Sequence, residues 1–161
     1  MQKNGNIKAG LILQPKERGK GVIPMVRVIM GVKGSGKTKQ LIELVNHAAH
    51  SESGNVICIE RGPKLIYDVH YKVRLVEASQ YEMENFEHLK GFISGLYAGN
   101  FDISHIFIDS LCKVVPIDAD APETEQFLDW LEMFSEKNGV RFTITISADV
   151  SMASEGIRKY F

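Results

Sequence analysis

Residues 26–45 read Val26-Arg-Val-Ile-Met-Gly31-Val-Lys-Gly-Ser-Gly36-Lys37-Thr38-Lys-Gln-Leu41-Ile-Glu-Leu44-Val45. An apolar, β-branched run (Val26 to Met30) leads into a glycine-rich turn. An amphipathic segment follows, with Leu41, Leu44/Val45 and Ala48/Ala49 at helical spacing. The turn, Gly31-Val32-Lys33-Gly34-Ser35-Gly36-Lys37-Thr38, matches the phosphate-binding pattern G-x-x-x-x-G-K-[ST] in full. Glycines at 31, 34 and 36 let the backbone curl so that successive N–H groups point inward at an anion. The helix starting near Lys37 adds unsatisfied N–H groups and the positive end of its dipole. Lys37 supplies a charge for β- and γ-phosphates, Thr38 a hydroxyl for Mg²⁺, and Lys39 completes the cationic rim. Strand, glycine loop and helix in that order predict a nucleotide phosphate site.

Around this segment the chain alternates apolar runs with helical patterns. Further strands are expected at 55–60 (NVICIE), 72–78 (KVRLVEA), 104–109 (SHIFID) and 141–147 (RFTITIS). A short helical piece is expected at 64–70, and a loop at 111–119. Ser79-Gln-Tyr-Glu82 and Asp120-Ala-Pro-Glu123 both fit capping boxes, the first opening a helix with Met83, Phe86, Leu89, Ile93 and Leu96 on one face. In that helix Gly91 and Gly95 suggest close packing on a sheet. The second helix would bury Phe127, Leu128, Leu131 and Phe134 and turn Glu125, Asp129, Glu132 and Glu136 to water. Ser151 to Tyr160 suggests a terminal helix. Continuous apolar strands alternating with helices predict an α/β three-layer sandwich around a five-stranded parallel sheet. All strand ends then meet at one edge, where ligands bind.

Composition limits the alternatives. The chain has 161 residues, 44% hydrophobic and 24% charged, with a formal net charge of −1. That suits one domain with a sizeable core. No apolar run approaches the roughly 18 residues of a membrane span, no secretory leader is visible, and Cys58 and Cys112 sit in or beside strands as small hydrophobes. A reduced, cytoplasmic protein is expected. Residues 1–24 carry a net charge of +4 and no periodicity, which predicts a loose basic tail, with residues 25–161 forming the domain. Lys20-Gly21-Val22 can be encoded by a purine-rich ribosome-binding sequence, so the native chain is expected to start at Met25. Beyond the tail there is no basic stripe with interleaved aromatics, so no nucleic-acid surface is expected.

Strand four ends in Ile106-Phe-Ile-Asp109, the pattern of a carboxylate that holds a Mg²⁺ shell. Hydrolysis also needs a group that orients water. Ser110 follows Asp109, so Glu60, closing strand two, is the candidate; its alternative role is to pair locally with Arg61 or Lys64. Ser147 and Asp149 at the end of strand five are candidate γ-phosphate sensors, or helix caps. His47 and His50 share a helix face but lack a third metal ligand.

A phosphate loop, a glutamate closing the next strand and Ile108-Asp109-Ser110-Leu111 together resemble the RecA/KaiC-like branch of P-loop ATPases. The resemblance implies strand order 5-1-4-3-2, with strand one between strands five and four. It also implies Mg²⁺-dependent ATP hydrolysis, and homo-oligomers in which a neighbour's cation completes the site; Arg158 or Lys159 would serve. The opening also resembles type II thymidine kinases, although those carry Asp-Glu at strand four and a cysteine zinc site that this chain lacks. A third reading is an ATP-binding switch or adaptor without hydrolysis. No Asn-Lys-x-Asp element is present, which favours ATP over GTP.

Overall fold

A computed structural model describes residues 24–161 of the chain. The expected basic tail, residues 1–24, therefore falls outside the described residues except for Pro24, and the expected start at Met25 depends on those residues. Five strands form the sheet: β1 (Val26–Gly31), β2 (Asn55–Glu60), β3 (Arg74–Glu77), β4 (Ile103–Ile108) and β5 (Arg141–Ser147). Every pairing is parallel. The principal helices are α1 (Lys37–Ser51), α2 (Phe86–Gly99), α3 (Leu111–Val114), α4 (Pro122–Asn138) and α5 (Glu155–Arg158).

Apolar residues cover both faces, as continuous hydrophobic strands require. On one face Leu41 and Val45 of α1 pack with Cys58, Phe107 and the loop residues Leu65, Val69 and Val73. On the other, Phe86, Leu89 and Ile93 of α2 and Phe127, Leu128 and Leu131 of α4 pack on Ile57, Ile106, Phe142 and Ile144. Each such side chain, once fully buried, contributes about 1.5–3 kcal/mol. Phe86 and Phe127 stack at 4.6 Å between centroids and join the two helices. No helix among the described residues is long and apolar enough to cross a membrane.

The three-layer parallel sandwich is as expected, but the strand order is not 5-1-4-3-2. The sheet runs β1-β5-β4-β2-β3. Strand five lies inside, between β1 and β4, and the short β3 forms the far edge. Apart from β3, with Arg74 and Glu77 among its four residues, composition ranks none of the strands as central; the crossovers decide the order. At the outer edge of β1, Val28 N–H donates to the Tyr160 carbonyl (2.8 Å). The C-terminal segment thus covers part of an exposed strand edge.

Several local expectations are corrected. The Ser79 box does not open α2: Ser79 Oγ donates to Glu77 (2.8 Å), residues 78–80 form a 3₁₀ turn, and Asn85 caps the helix through His88 N–H (2.9 Å). The Asp120 box does not cap α4, whose Ncap is Ala121 with Pro122 at the first helical position. Residues 64–70 form turns, held by Leu65 O, which accepts from Asp68 and Val69 N–H. The expected loop after Asp109 contains α3, and the terminal helix divides into a 3₁₀ turn (Val150–Met152) and α5. A Cβ on Gly91 or Gly95 would meet nothing within 4 Å, so these glycines do not mark close approach to the sheet.

Candidate functional site at the phosphate loop

The loop between β1 and α1 has the backbone its glycines suggest. Gly36 occupies the left-handed region (φ 87°) as the Ncap of α1. At Gly31 a Cβ would stand 2.6 Å from Ser35 Oγ. α1 has neither a side-chain cap nor an acidic residue in its first turn. Most helices satisfy their first amides with Ser, Thr, Asp or Asn and favour carboxylates there. Here Lys37, Thr38 and Lys39 stand in that turn, leaving the amides to an external anion.

Lys37 is buried, 8% exposed, and its ammonium donates to the Val32 carbonyl (2.8 Å) and to Ser35 Oγ (3.4 Å). The side chain thus folds back over its own loop. Burial lowers the ammonium pKa, Asp109 opposes that shift, and the Lys113 charge adds to it. An incoming phosphate oxygen would offer a stronger acceptor than a neutral carbonyl. Val32, Lys33, Gly34 and Ser35 form the exposed rim of the loop.

Two chain-distant oxygens meet at the loop's base. Thr38 Oγ1 lies 3.3 and 3.5 Å from the two carboxylate oxygens of Asp109. Both are hard oxygen donors of the kind Mg²⁺ selects. Thr145, fully buried at the centre of β5, donates from Oγ1 to Asp109 Oδ1 (2.8 Å) and accepts from Ser110 N–H (2.7 Å). Ser110 is the non-glycine residue with positive φ (55°) among the described residues. A left-handed residue costs about 1–2 kcal/mol, and this one sits directly after the carboxylate.

Glu60 shares a cavity of about 110 Å³ with Thr38, Asp109, Arg61 and Lys113. Its side chain is buried, and its two oxygens accept from Lys64 and Leu65 N–H, each at 3.3 Å. Burial raises its pKa; the two amides counter this, while Asp109 and Glu77 reinforce it. The local alternative is therefore partly realised: Glu60 caps the turn after β2, through backbone amides instead of the side chains of Arg61 or Lys64. Arg61 donates instead to the Lys113 carbonyl (3.1 Å).

Other candidates fall elsewhere. Ser147 pairs in register with Gly31, and Ala148 N–H donates to the Gly31 carbonyl (3.0 Å), so the end of β5 abuts the loop. Asp149 accepts from Ser151 N–H and is a cap. Arg158 donates to the Ala153 and Val150 carbonyls. Lys159 pairs with Asp129 (2.8 Å). Both C-terminal cations are thus engaged within their own chain. His50 packs against His70, while His47 lines a different cavity. Among the described residues no cluster of three metal-ligating side chains forms.

Sequence reasoning missed Thr145 and Lys113. Thr145 had a signal, a threonine pair spaced by two in an otherwise apolar strand, but its meaning depends on β5 lying beside β4. Lys113 had none, since α3 was expected to be a loop.

No protein-family model matches the chain, and no curated protein matches it in sequence. In structure it is similar to the flagellar accessory protein FlaH from Methanocaldococcus jannaschii, with a TM-score of 0.52 and 12% sequence identity, covering 89% of this chain and 70% of that one. At that identity the likeness is one of fold alone, a parallel sheet flanked by helices on both faces.

Proposed function

We propose that this chain is a Mg²⁺-dependent ATP-binding protein that hydrolyses ATP. The observation that carries the reading is the approach of Thr38 Oγ1 to the Asp109 carboxylate at 3.3 Å, beneath a loop whose amides lack a cap. The oxygen donor set fits Mg²⁺, which when bound neutralises charge on the phosphate oxygens. Thr38 and Asp109 would hold it. The amides of Gly31 to Thr38 would cradle the phosphates, and Lys37 would exchange the Val32 carbonyl for them. Glu60 would position and deprotonate water; its raised pKa makes it a better base than an exposed carboxylate.

A second reading, a nucleotide-responsive switch without hydrolysis, draws on the two amides that already occupy Glu60. Thermal melting and phosphate release separate the readings. Mg²⁺-ATP at about a hundredfold its dissociation constant adds roughly 2.7 kcal/mol and raises the midpoint by several degrees. Lys37→Ala should abolish that shift; a full shift in this variant would sink ATP binding at the loop. Glu60→Gln should keep the shift and lose phosphate release. If neither protein releases phosphate, the switch reading stands. ADP formed only when nucleosides or nucleoside monophosphates are added would indicate a kinase.

A further inference from the structure

A second cavity lies away from the nucleotide loop. It measures about 470 Å³, between the C-terminal half of α1 and the opposite end of the sheet. That is within the roughly 300–1,000 Å³ typical of small-molecule sites and about four times the space beside Glu60. Its apolar wall consists of Leu44, Ala48, Phe107 and Pro24.

A fixed polar network closes one side. Glu52, just past the end of α1, accepts from His105 Nδ1 (2.9 Å), from Ser104 Oγ (2.5 Å) and from the Arg141 guanidinium. His105 Nε2 meets Thr143 Oγ1 at 2.9 Å, and the imidazole stacks on Phe107 at 4.0 Å. Thr143, His105 and Glu52 repeat the atom order of a nucleophile triad. However, β5 pairs on both sides, with β1 and β4, so ladder bonds consume the nearby amides and leave no oxyanion hole. The network fixes one wall of the cavity.

Charge then selects the ligand. Burial lowers the His105 pKa, the hydrogen bond and charge of Glu52 oppose that shift, and Arg141 pairs with Glu52. Arg27 pairs in register with Thr143 on the cavity side of the sheet, and no ion pair reaches it among the described residues. One guanidinium thus remains beside the half-buried Leu44 and Pro24. A guanidinium matches a carboxylate in a bidentate geometry. We propose that the cavity between α1 and the β1-β5-β4 part of the sheet binds a small organic monocarboxylate, with its carboxylate on Arg27 and its apolar body against Leu44 and Pro24.

This inference is independent of the nucleotide reading. Benzoate is the probe, because it lacks the phosphate that would draw it to the glycine loop. Ligand-observed NMR on the full chain should show saturable benzoate binding in the millimolar range. Arg27→Gln should weaken it by about tenfold or more. Ser51→Trp, at an exposed position lining the cavity, should block it without removing a charge, so a folding defect at Arg27 does not decide the matter. Lys37→Ala should bind benzoate like the unaltered chain. Absence of saturation, undiminished binding by both cavity variants, or loss of binding in Lys37→Ala would each overturn the proposal.

Discussion

Thr145 uses both functions of one hydroxyl, giving its proton to Asp109 and taking one from the left-handed Ser110. A carboxylate so restrained loses little rotational freedom when it meets a cation. Thr145→Val keeps the shape, removes both bonds and leaves the Ser110 N–H without its acceptor. The expected cost is about 2 kcal/mol in urea unfolding, and Mg²⁺ should enhance ATP stabilisation less than in the parent; an unchanged Mg²⁺ effect would reduce Thr145 to a packing residue. At this scale the sequence was informative wherever chemistry depends on neighbours in the chain: Gly31 to Thr38 form the loop as written. It was less informative about Glu60, whose capping of Lys64 and Leu65 follows from a turn where a helix was expected. Nothing local to Thr145 identifies Asp109 as its partner, because strand order sets that contact.

Helices and strands were legible as types because burial imposes a period on the sequence, whereas their ends and neighbours were not. Two capping-box patterns failed for the same reason, since a Ser or Asp caps only if its backbone leaves the helix at that residue. Ser79 is held instead by Glu77, and Asn85 has the capping geometry. The acidic face of α4 was also misread as simply solvated. Asp129 and Glu132 receive the Tyr160 hydroxyl (2.8 and 3.0 Å) and Lys159, while Glu125 receives Ser154. These contacts dock the C-terminal segment along the edge of β1. Tyr160→Phe keeps the buried ring and deletes the hydrogen bond to a charged group, at an expected cost of about 1.5–3 kcal/mol. Limited proteolysis should then release the C-terminal residues sooner, and equal protection would show that the ring alone holds the segment.

Across the whole molecule, two glutamates stand at opposite edges of the sheet with opposite perturbations. Burial disfavours the charged form of both. At Glu52 the hydrogen bonds from His105 and Ser104, with the charges of His105 and Arg141, overcome it and hold the carboxyl at about 2. At Glu60 two backbone amides do not overcome it, and Asp109 adds repulsion. The folded state therefore binds the Glu52 proton more weakly than the unfolded chain. Stability from Glu52 is complete above its ordinary value of 4.5 and is lost as pH falls toward 2. Glu60 acts in the opposite sense, costing nothing below its ordinary value of 4.5 and progressively more as pH rises through its elevated folded value. Glu52→Gln should lower stability at neutral pH by about 3 kcal/mol, because it strands Arg141, and should flatten the acid limb of the profile. Glu60→Gln should raise the melting midpoint by a few degrees at pH 7, show no gain below pH 4.5, and lose phosphate release. A structural carboxylate stabilises where it is charged, whereas a reactive one is kept charged at the expense of the fold. Melting curves of the two variants between pH 3 and 8 test this contrast directly. If Glu60→Gln proved the less stable protein at pH 7, Glu60 would be a cap like any other, and the switch reading would replace hydrolysis.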